Sequence, residues 1–316
     1  MENSLKEKIS MALNEWLDPS NTERSGNALQ QKSGVSTSVI SHVKNGKFEI
    51  MVSDKPSPIS DAQFLKLADA IGYVIEKEAI HWDFTESFRK VQSVCRSTQA
   101  KRRIVTLESE DSGLGKTYGL EYYETYNDRV IYIKCERSWK SKDLINTILA
   151  KLKIRTEAKD SISKLALIRE KLTSQPGWLI VLDEAEYISN TVWHTVKEII
   201  DFIYGKCGLI VSGINISHKI NKYASKKKEG FPQLKRRLFA EVATIQSITK
   251  KEKSAILERH GIVAKTAVEF FIKHVHDYQM MRTYIEDALQ VGYKTNATID
   301  GAFLMELFFD PQNEAA

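Results

Sequence analysis

The sequence lacks the features that mark membrane-spanning, exported and disulfide-stabilised proteins. No apolar stretch approaches the ~20 residues that a membrane-spanning helix requires, and the N-terminus, Met1 to Lys6, shows no signal-peptide pattern. The three cysteines are widely spaced and odd in number, and the seven histidines show no spacing typical of metal ligands. We therefore expect a protein of a reducing, cytoplasmic compartment that has no disulfide framework and does not bind a membrane.

The composition is ordinary for a globular chain, but the charge is unevenly distributed. The 316 residues are 42% hydrophobic and 28% charged, and their number suffices for two or three domains. Of the net charge of +5, residues 1–80 carry −2, from 9 Lys and Arg against 11 Asp and Glu, so residues 81–316 carry +7. We expect any contact with nucleic-acid phosphates mainly in that later part.

From residue 103 onward, short apolar runs alternate with helical patterns. The strand-like runs occupy 103–108, 129–134, 178–183, 208–213 and 241–246, and the helical patterns occupy 116–126, 141–152, 160–173 and 190–204. This alternation predicts an α/β fold with a parallel sheet and helical crossovers. After Ile248 only helical patterns remain, at 249–260, 264–274, 278–291 and 299–309, and they predict a helical lid.

A glycine-rich loop separates the first strand-like run from the first helical pattern. Such a loop offers backbone N–H groups and a helix N-terminus to phosphates. Lys116 is expected to reach the terminal phosphates, and the Thr117 hydroxyl to hold Mg²⁺. The predicted nucleotide-binding residues are Ser112, Gly113, Leu114, Gly115, Lys116, Thr117 and Tyr118.

The loop departs from the eight-residue phosphate-loop consensus at its first position, where Glu110 replaces glycine. Glutamate tolerates a positive φ poorly, and a carboxylate aimed at phosphate would be repelled. We therefore expect the loop to enter by a different turn, with Glu110 facing outward. The replacement puts the affinity for nucleotide in question.

A second apolar run, Trp178 to Leu182, ends in the acidic pair Asp183-Glu184. The carboxyl end of a buried strand lies at the edge of the sheet where ligands bind in open α/β folds. Asp183 is expected to assist Thr117 in holding Mg²⁺, and Glu184 to orient or activate the attacking water. The loop and this strand together predict a site for ATP and Mg²⁺.

Residues 1–80 predict a small all-α domain with a helix-turn-helix between Asn27 and Lys44. A helix at 27–32 and a turn at 33–35 precede a second helix, which Ser36 can cap. The polar residues of this second helix are of types that read grooves or contact phosphates, so they are candidates for DNA binding: Ser36, Thr37, Ser38, Ser41, His42 and Lys44. The alternative is a small helical bundle used for protein contacts, which the acidic balance of residues 1–80 leaves open.

In this order, the motifs resemble those of the AAA+ ATPases. They are the phosphate loop, the strand ending in Asp183-Glu184, the later strand Gly208 to Gly213 and the all-helical tail. The segment Leu29 to Gly46 resembles the repressor-type helix-turn-helix family, with Gln30 where that family usually has alanine. A repressor-like domain before one ATPase module resembles the target-selecting ATPases of Mu-like elements, the group of phage Mu transposition protein B.

The resemblance implies a domain organisation. A helix-turn-helix domain at 1–80 and a linker at 81–101 would precede the AAA+ nucleotide-binding α/β subdomain at 102–247 and a helical lid subdomain at 248–316. The fold class is thus α/β, a P-loop AAA+ module with a parallel sheet and a C-terminal lid, preceded by an all-α domain.

The resemblance also implies further site residues. A polar sensor would be Asn215 or Ser212, an arginine finger for the neighbouring subunit would be Arg236 or Arg237, and a second sensor in the lid would be Arg282. Each assignment has a plainer alternative. These are a helix cap or turn for Asn215, a solvated basic helix face for the two arginines and a surface ion pair for Arg282.

Two basic segments are candidates for contact with DNA. In similar transposition ATPases the loop after the second strand lines the inner channel, and here it contains Arg137, Trp139, Lys140 and Lys142. The stretch Lys222 to Arg237 holds seven Lys and Arg and one acid, Glu229. It is expected to be a second DNA-facing strip or the region of subunit contact, and the alternative for both segments is a solvated charged loop.

The resemblance implies an ATP-dependent, sequence-tolerant DNA-binding ATPase that needs Mg²⁺ and is slow unless oligomerised. Its subunits would assemble head to tail on double-stranded DNA as a ring or helical filament, deliver target DNA to a transposase and activate it. Two other functions remain open. One is a helix-turn-helix transcriptional regulator with a nucleotide switch, which Glu110 favours, and the other is a chaperone or helicase-loader ATPase whose N-terminal domain binds protein.

Overall fold

A computed structural model describes residues 3–17, 24–52, 55–73, 82, 84–295 and 297–309. The chain divides into two compact units: the first consists of Met1–Ile80, Lys253–Val275 and Met281–Ala316, and the second of His81–Glu252 and His276–Met280. Residues 81 and 83 of the predicted linker lie outside the described residues. Within the described ranges, no helix combines the length and the apolar character needed to cross a membrane.

The described residues of Met1–Ile80 form four helices and a β-hairpin. In chain order the elements are α1 (Asn3–Trp16), α2 (Gly26–Ser33), α3 (Thr37–Lys44), β1 (Glu49–Val52), β2 (Lys55–Pro58) and α4 (Asp61–Ile71). Helix α2 ends at Gly34, whose φ of +69° a residue without Cβ adopts most readily. The Ser36 hydroxyl caps α3 by accepting the N–H of Val39 at 3.4 Å. The tight turn thus follows from Gly34 and Ser36, as predicted.

Helices α1, α2, α3 and α4 share one hydrophobic core. It contains, among others, Ile9, Leu13, Leu29, Val39, Ile40, Val43, Phe64 and Leu67. The hairpin of β1 and β2 adds strands to the helices expected here. The sequence does not predict β2, because it contains Pro56 and Pro58 and proline is rare in strands. In the antiparallel pair, however, β2 is an edge strand, where proline is tolerated.

The second unit is built around a five-stranded sheet. Its elements are α5 (Glu86–Lys101), β3 (Ile104–Ser109), α6 (Lys116–Tyr126), β4 (Val130–Lys134), α7 (Ser141–Lys151), α8 (Ser161–Ser174), β5 (Leu179–Asp183), α9 (Asn190–Ile203), β6 (Gly208–Ile214), α10 (Ile216–Ser225), α11 (Phe231–Leu238) and β7 (Val242–Thr244). The strand order is β4-β5-β6-β3-β7, and every neighbouring pair is parallel. The structure therefore confirms the predicted α/β fold.

Apolar side chains cover both faces of this sheet, as expected for parallel strands. On β5, Ile180 and Leu182 pack into a large core with Trp193 of α9, whereas Val181 packs on the opposite face with Leu120 of α6. Side chains alternate between the faces of a strand. Asp183, two positions after Val181, therefore lies on the α6 face, which is the face of the glycine-rich loop.

The segment interpreted as a polar linker is instead helix α5. Phe88, Val91 and Cys95 are buried at helical spacing, and Val91 and Cys95 pack in the core on the α6 face of the sheet. The Thr85 hydroxyl caps the helix by accepting the N–H of Phe88 at 3.3 Å. The prediction was wrong because polar residues on the exposed face of α5 outnumber the apolar ones, which conceals a one-sided apolar pattern.

Helices α10 and α11 are absent from the predicted elements. Their basic residues dominate the composition between Lys222 and Arg237, but Ile216 and Ile220 of α10 and Leu234 and Leu238 of α11 are buried at four-residue spacing. Much of the basic stretch therefore belongs to two helices whose apolar residues pack in the core.

Four helices follow β7 and agree with the predicted helical patterns. They are α12 (Lys250–Arg259), α13 (Lys265–His274), α14 (Tyr278–Thr295) and α15 (Gly301–Phe309).

Candidate nucleotide-binding site

The glycine-rich loop joins the carboxyl end of β3 to the start of α6. Gly113 and Gly115 have φ angles of +71° and +80°, a region that favours glycine. A Cβ at Gly113 would lie 2.6 Å from the Asp277 carboxylate, so this position also has no room for a side chain. The Ser87 hydroxyl of α5 donates to the carbonyl of Leu114, and the N–H of Tyr278 donates to the carbonyl of Gly113 at 3.1 Å.

The ends of the loop carry Glu110, Ser112 and Tyr118. Glu110 is exposed and its φ is not positive, so its carboxylate faces outward as expected. Ser112 is exposed as well. The Tyr118 ring, on the first turn of α6, lies 5.8 Å from the ring of Phe88. The replacement of the first consensus glycine therefore leaves the two later glycines in their left-handed conformations.

Lys116 is buried and its ammonium group donates to the hydroxyl of Ser109, the last residue of β3. Burial lowers the pKa of Lys116, and the nearby carboxylates of Asp183 and Glu186 oppose that shift. A buried lysine with two acidic neighbours at the carboxyl edge of a parallel sheet is suited to bind the phosphates of a nucleotide.

Asp183 joins the loop to the neighbouring strand. Its Oδ2 accepts a hydrogen bond from the Thr117 hydroxyl at 2.7 Å and another from the Tyr132 hydroxyl at 2.9 Å. Burial, together with the charge of Asp183, raises the pKa of Tyr132, which therefore stays a donor. A threonine hydroxyl at the start of the helix and a buried aspartate within 3 Å of it are the pair that holds Mg²⁺ in P-loop ATPases. These residues fit that cation.

Glu184 adopts an uncommon conformation and is ion-paired. Its φ of +53° lies in the left-handed region, which is strained for a residue with a Cβ. Its carboxylate lies 3.0 Å from the ammonium of Lys134, the last residue of β4. The hydrogen bond and charge of Glu184 raise the pKa of Lys134. In this conformation Lys134 neutralises the side chain that is predicted to activate water.

The two sensor candidates differ in their surroundings. Ser212 of β6 is fully buried, and its hydroxyl has no hydrogen-bond partner among the described residues. Asn215 is exposed at the start of α10 with a φ of +50°, and its side-chain amide donates to the carbonyl of Glu110 at 3.4 Å. Asn215 thus contacts the loop from its outer side, and the sensor role of either residue stays a prediction.

The arginine candidates also differ. Arg237 forms an ion pair with Asp201 at 3.0 Å, and its guanidinium lies 5.0 Å from the centre of the Tyr204 ring. Arg236, the preceding residue of α11, is exposed. Arg282 forms an ion pair at 2.8 Å with Glu286, one turn along α14. Arg237 is therefore held within its own chain, whereas the guanidinium of Arg236 faces solvent.

The predicted DNA-binding residues divide by exposure. Arg137 and Lys140 are exposed on the loop after β4, and Lys142 is exposed in the first turn of α7, where the predicted loop has already ended. Trp139 of the loop is half-buried against the larger core. On α3, the exposed residues are Thr37, Ser38 and Ser41, and the half-buried ones are His42 and Lys44. The Ser36 hydroxyl is engaged in the cap. Trp139 thus anchors its loop, and the three cations remain accessible.

Sequence reasoning missed four residues around the acidic pair: Ser109, Lys134, Glu186 and Lys219. The Oε2 atom of Glu186 is buried without a hydrogen-bond partner among the described residues. Glu186 could have been identified from the sequence, because it is a further acidic residue only two positions after Glu184. Lys219 gives no such signal, since it is one of several lysines on a basic helix.

Residues 109–215 match a family model described as an AAA domain. The matched segment contains the glycine-rich loop, the acidic pair and β6, so the chain carries an AAA-type P-loop ATPase domain. A comparison with curated proteins finds no match.

The solved structures that resemble the chain include the RuvB Holliday junction branch migration motor of Thermotoga maritima. It is 16% identical, with 75% of this chain and 73% of that chain covered and a TM-score of 0.47. A structure of a RuvB variant from the same organism is 15% identical, with 74% and 72% covered and a TM-score of 0.47.

Proposed function

We propose that the AAA-type domain of this chain binds Mg-ATP in order to assemble subunits on duplex DNA, without strong sequence preference, and that hydrolysis releases them. The assembled protein delivers target DNA to a transposase of the Mu-like class and activates it. ATP thus controls a contact between subunits.

The observation that carries the proposal is the ion pair between Lys134 and Glu184 at 3.0 Å. Lys134 ends β4. The exposed cations Arg137 and Lys140 follow on the next loop, and Lys142 follows in the first turn of α7. A duplex whose phosphates bind these cations would act three to eight residues along the chain from Lys134, whose side chain holds Glu184. DNA binding and ATP hydrolysis are therefore coupled through one short segment.

The residues of the site have separate tasks in this mechanism. Bound Mg-ATP supplies the phosphoryl group and the cation that neutralises its charge. Lys116 leaves Ser109 to bind the phosphates, and Thr117 and Asp183 hold Mg²⁺. Once Lys134 has released the carboxylate of Glu184, Glu184 orients the attacking water. Burial of Lys116 and Asp183 in a site of low dielectric strengthens each of these interactions.

The exposed guanidinium of Arg236 supports a site that is completed by a neighbouring subunit. Arg237 is occupied by Asp201 and Tyr204, so Arg236 is the better candidate for the finger that stabilises charge on the transferred phosphoryl group. A chain that needs an arginine from its neighbour hydrolyses ATP slowly as a monomer.

Electron microscopy of the protein with random-sequence duplex DNA tests the assembly. We expect rings or filaments on DNA with a non-hydrolysable ATP analogue and Mg²⁺, and none without nucleotide. A protein that stays monomeric under both conditions, at low ionic strength, would contradict the proposal. ATP-insensitive binding to one operator sequence would instead indicate the transcriptional regulator.

The transposase part of the proposal needs its own experiment. A purified transposase of the Mu-like class, bound to its element ends, is given two duplexes, one of them preloaded with this protein and ATP. We expect insertions preferentially into the preloaded duplex. Equal insertion into both duplexes would contradict the proposal that this protein delivers target DNA.

A further inference from the structure

The acidic turn, Glu184 to Ile188, begins with the strained backbone of Glu184. The N–H groups of Tyr187 and Ile188 donate to the carbonyls of Glu184 and Ala185 at 3.0 and 3.1 Å. These bonds form a single 3₁₀ turn, a short structure with poor hydrogen-bond geometry. A non-glycine residue at positive φ persists only where its surroundings hold it. Contacts from other segments of the chain must therefore hold the turn in this conformation.

Lys219 of α10 provides one such support. Its ammonium group donates to the carbonyl of Glu186 at 2.5 Å and to that of Ile188 at 2.8 Å. Carbonyls at the end of a helical turn have no partner within the turn, so this lysine caps it. Burial lowers the pKa of Lys219, and the charge of Glu186 opposes the shift. Both contacts lie within the second unit.

The Glu186 side chain provides a second support, at the end of β6. The turn directs this carboxylate over Gly213, where an added Cβ would lie only 2.1 Å from Oε2 and 2.8 Å from Ile216. Burial raises the pKa of Glu186, and the backbone amides of Glu186 and Ile214 oppose the shift. Glycine at position 213 is therefore what allows the acidic turn to pack against the end of β6.

We propose that Glu186 and Lys219 are positioning residues for ATP hydrolysis, which hold Glu184 in its left-handed conformation and tie it to the end of β6. They act through the acidic turn and do not touch the nucleotide. The inference rests on the proposed function in so far as Glu184 activates water.

We call the contacts of Glu186 and Lys219 with the acidic turn and β6 the clamp. Three variants test it by different routes. Lys219→Met keeps the length of the side chain and removes the donors, Glu186→Gln keeps the shape and removes the charge, and Gly213→Ala displaces the carboxylate. Because a displacement of about 1 Å in a catalytic group can cost ~100-fold, we expect kcat to fall roughly 10- to 100-fold in each, with KM for ATP within about twofold of wild type. Asn221→Met, at an exposed position of the same helix, is the control and should leave kcat unchanged.

Hydrogen exchange measures the clamp without catalysis. We expect faster exchange at the amides of Tyr187 and Ile188 in Lys219→Met, and unchanged exchange at Gly119, whose amide is bonded within the first turn of α6. Unchanged kcat and exchange would overturn the inference, and so would a rise in KM at constant kcat. If Lys219→Met does not fold, the isosteric Glu186→Gln decides. If the wild type hydrolyses no ATP, the proposed function fails, while exchange still decides whether the clamp exists.

Discussion

The nucleotide site and the basic surfaces of the same unit use their cations in opposite ways. In the site, each cation has a partner within the chain: Lys116 binds Ser109, Lys134 binds Glu184 and Lys219 binds two carbonyls. On the surface, Arg137, Lys140, Lys142 and Arg236 are exposed. The first arrangement fixes the geometry of a reaction before substrate arrives, and the second is suited to binding an external anion.

This comparison implies that the two groups fail differently when they are changed. We expect the loss of a cation in the site to remove a preorganised contact and to change nucleotide affinity or the rate. Under the proposed function, we expect the loss of a surface cation to leave the fold intact and to affect only assemblies with DNA or a second subunit.

The most complete loss of function is expected of Lys116→Ala, because nucleotide binding precedes every later step. We expect nucleotide affinity to fall about 100-fold, since a charge-assisted contact is worth roughly 1.5–3 kcal/mol, and ATP-dependent DNA binding to disappear. Titration with a fluorescent nucleotide and DNA anisotropy measure both effects. Lys197→Ala, at an exposed ion pair with Asp201 on α9, is the control. Nucleotide-stimulated DNA binding by Lys116→Ala would show that the phosphates bind elsewhere.

Arg236→Ala should have the next largest effect, and it tests the surface group. An arginine finger contributes about 10³-fold or more to kcat, so we expect DNA-stimulated hydrolysis to fall by that order while nucleotide affinity is kept. Arg237→Ala, which loses an ion pair on the same helix, should lower stability slightly and leave more than half of the activity. The reverse ranking of the two variants would reassign the finger to Arg237.

The third prediction concerns the partner of a cation in the site, since Glu184→Gln changes the carboxylate that Lys134 binds. We expect ATP binding to persist and hydrolysis to fall about 100-fold, the usual contribution of a general base, so that complexes on DNA last longer. Single-turnover hydrolysis and dissociation of labelled duplex measure the two effects. Lys134→Met, which frees Glu184 without removing it, should raise the rate in the absence of DNA. Normal turnover by Glu184→Gln would exclude the proposed role.

The sequence predicted the loop and the five strands well, because the signals for both are local. Gly113, Gly115 and Lys116 are consecutive or nearly so, and each buried strand is a short apolar run. Contacts between distant segments could not be predicted. Lys134 meets Glu184 only because β4 and β5 pair in a register that sets Lys134 opposite Asp183. A strand that is apolar on both faces has no alternating pattern from which that register could be predicted.

Two other failures have local causes. The sequence predicts a linker where α5 lies, because the exposed face of this helix is polar, although Phe88, Val91 and Cys95 form a buried stripe. Lys219 could not be distinguished from its neighbours, since a lysine that caps a turn and a lysine in solvent have the same sequence signature. Composition therefore misleads most where charged residues cover one face of a helix.

The smallest expected effect at low salt is that of a triple change in the loop after β4 and the first turn of α7. Arg137, Lys140 and Lys142 are replaced by alanine together, and Trp139 is kept because it packs against the core. Each phosphate contact contributes about −0.9 to the slope of log K against log salt concentration. Three lost contacts should make the slope about 2.7 units less negative and weaken binding to all duplex sequences alike. Replacement of the exposed Arg155, Lys159 and Lys206 removes the same charge elsewhere and should change the slope much less. Equal slopes for the two triple variants would mean that net charge, and not this loop, binds the duplex.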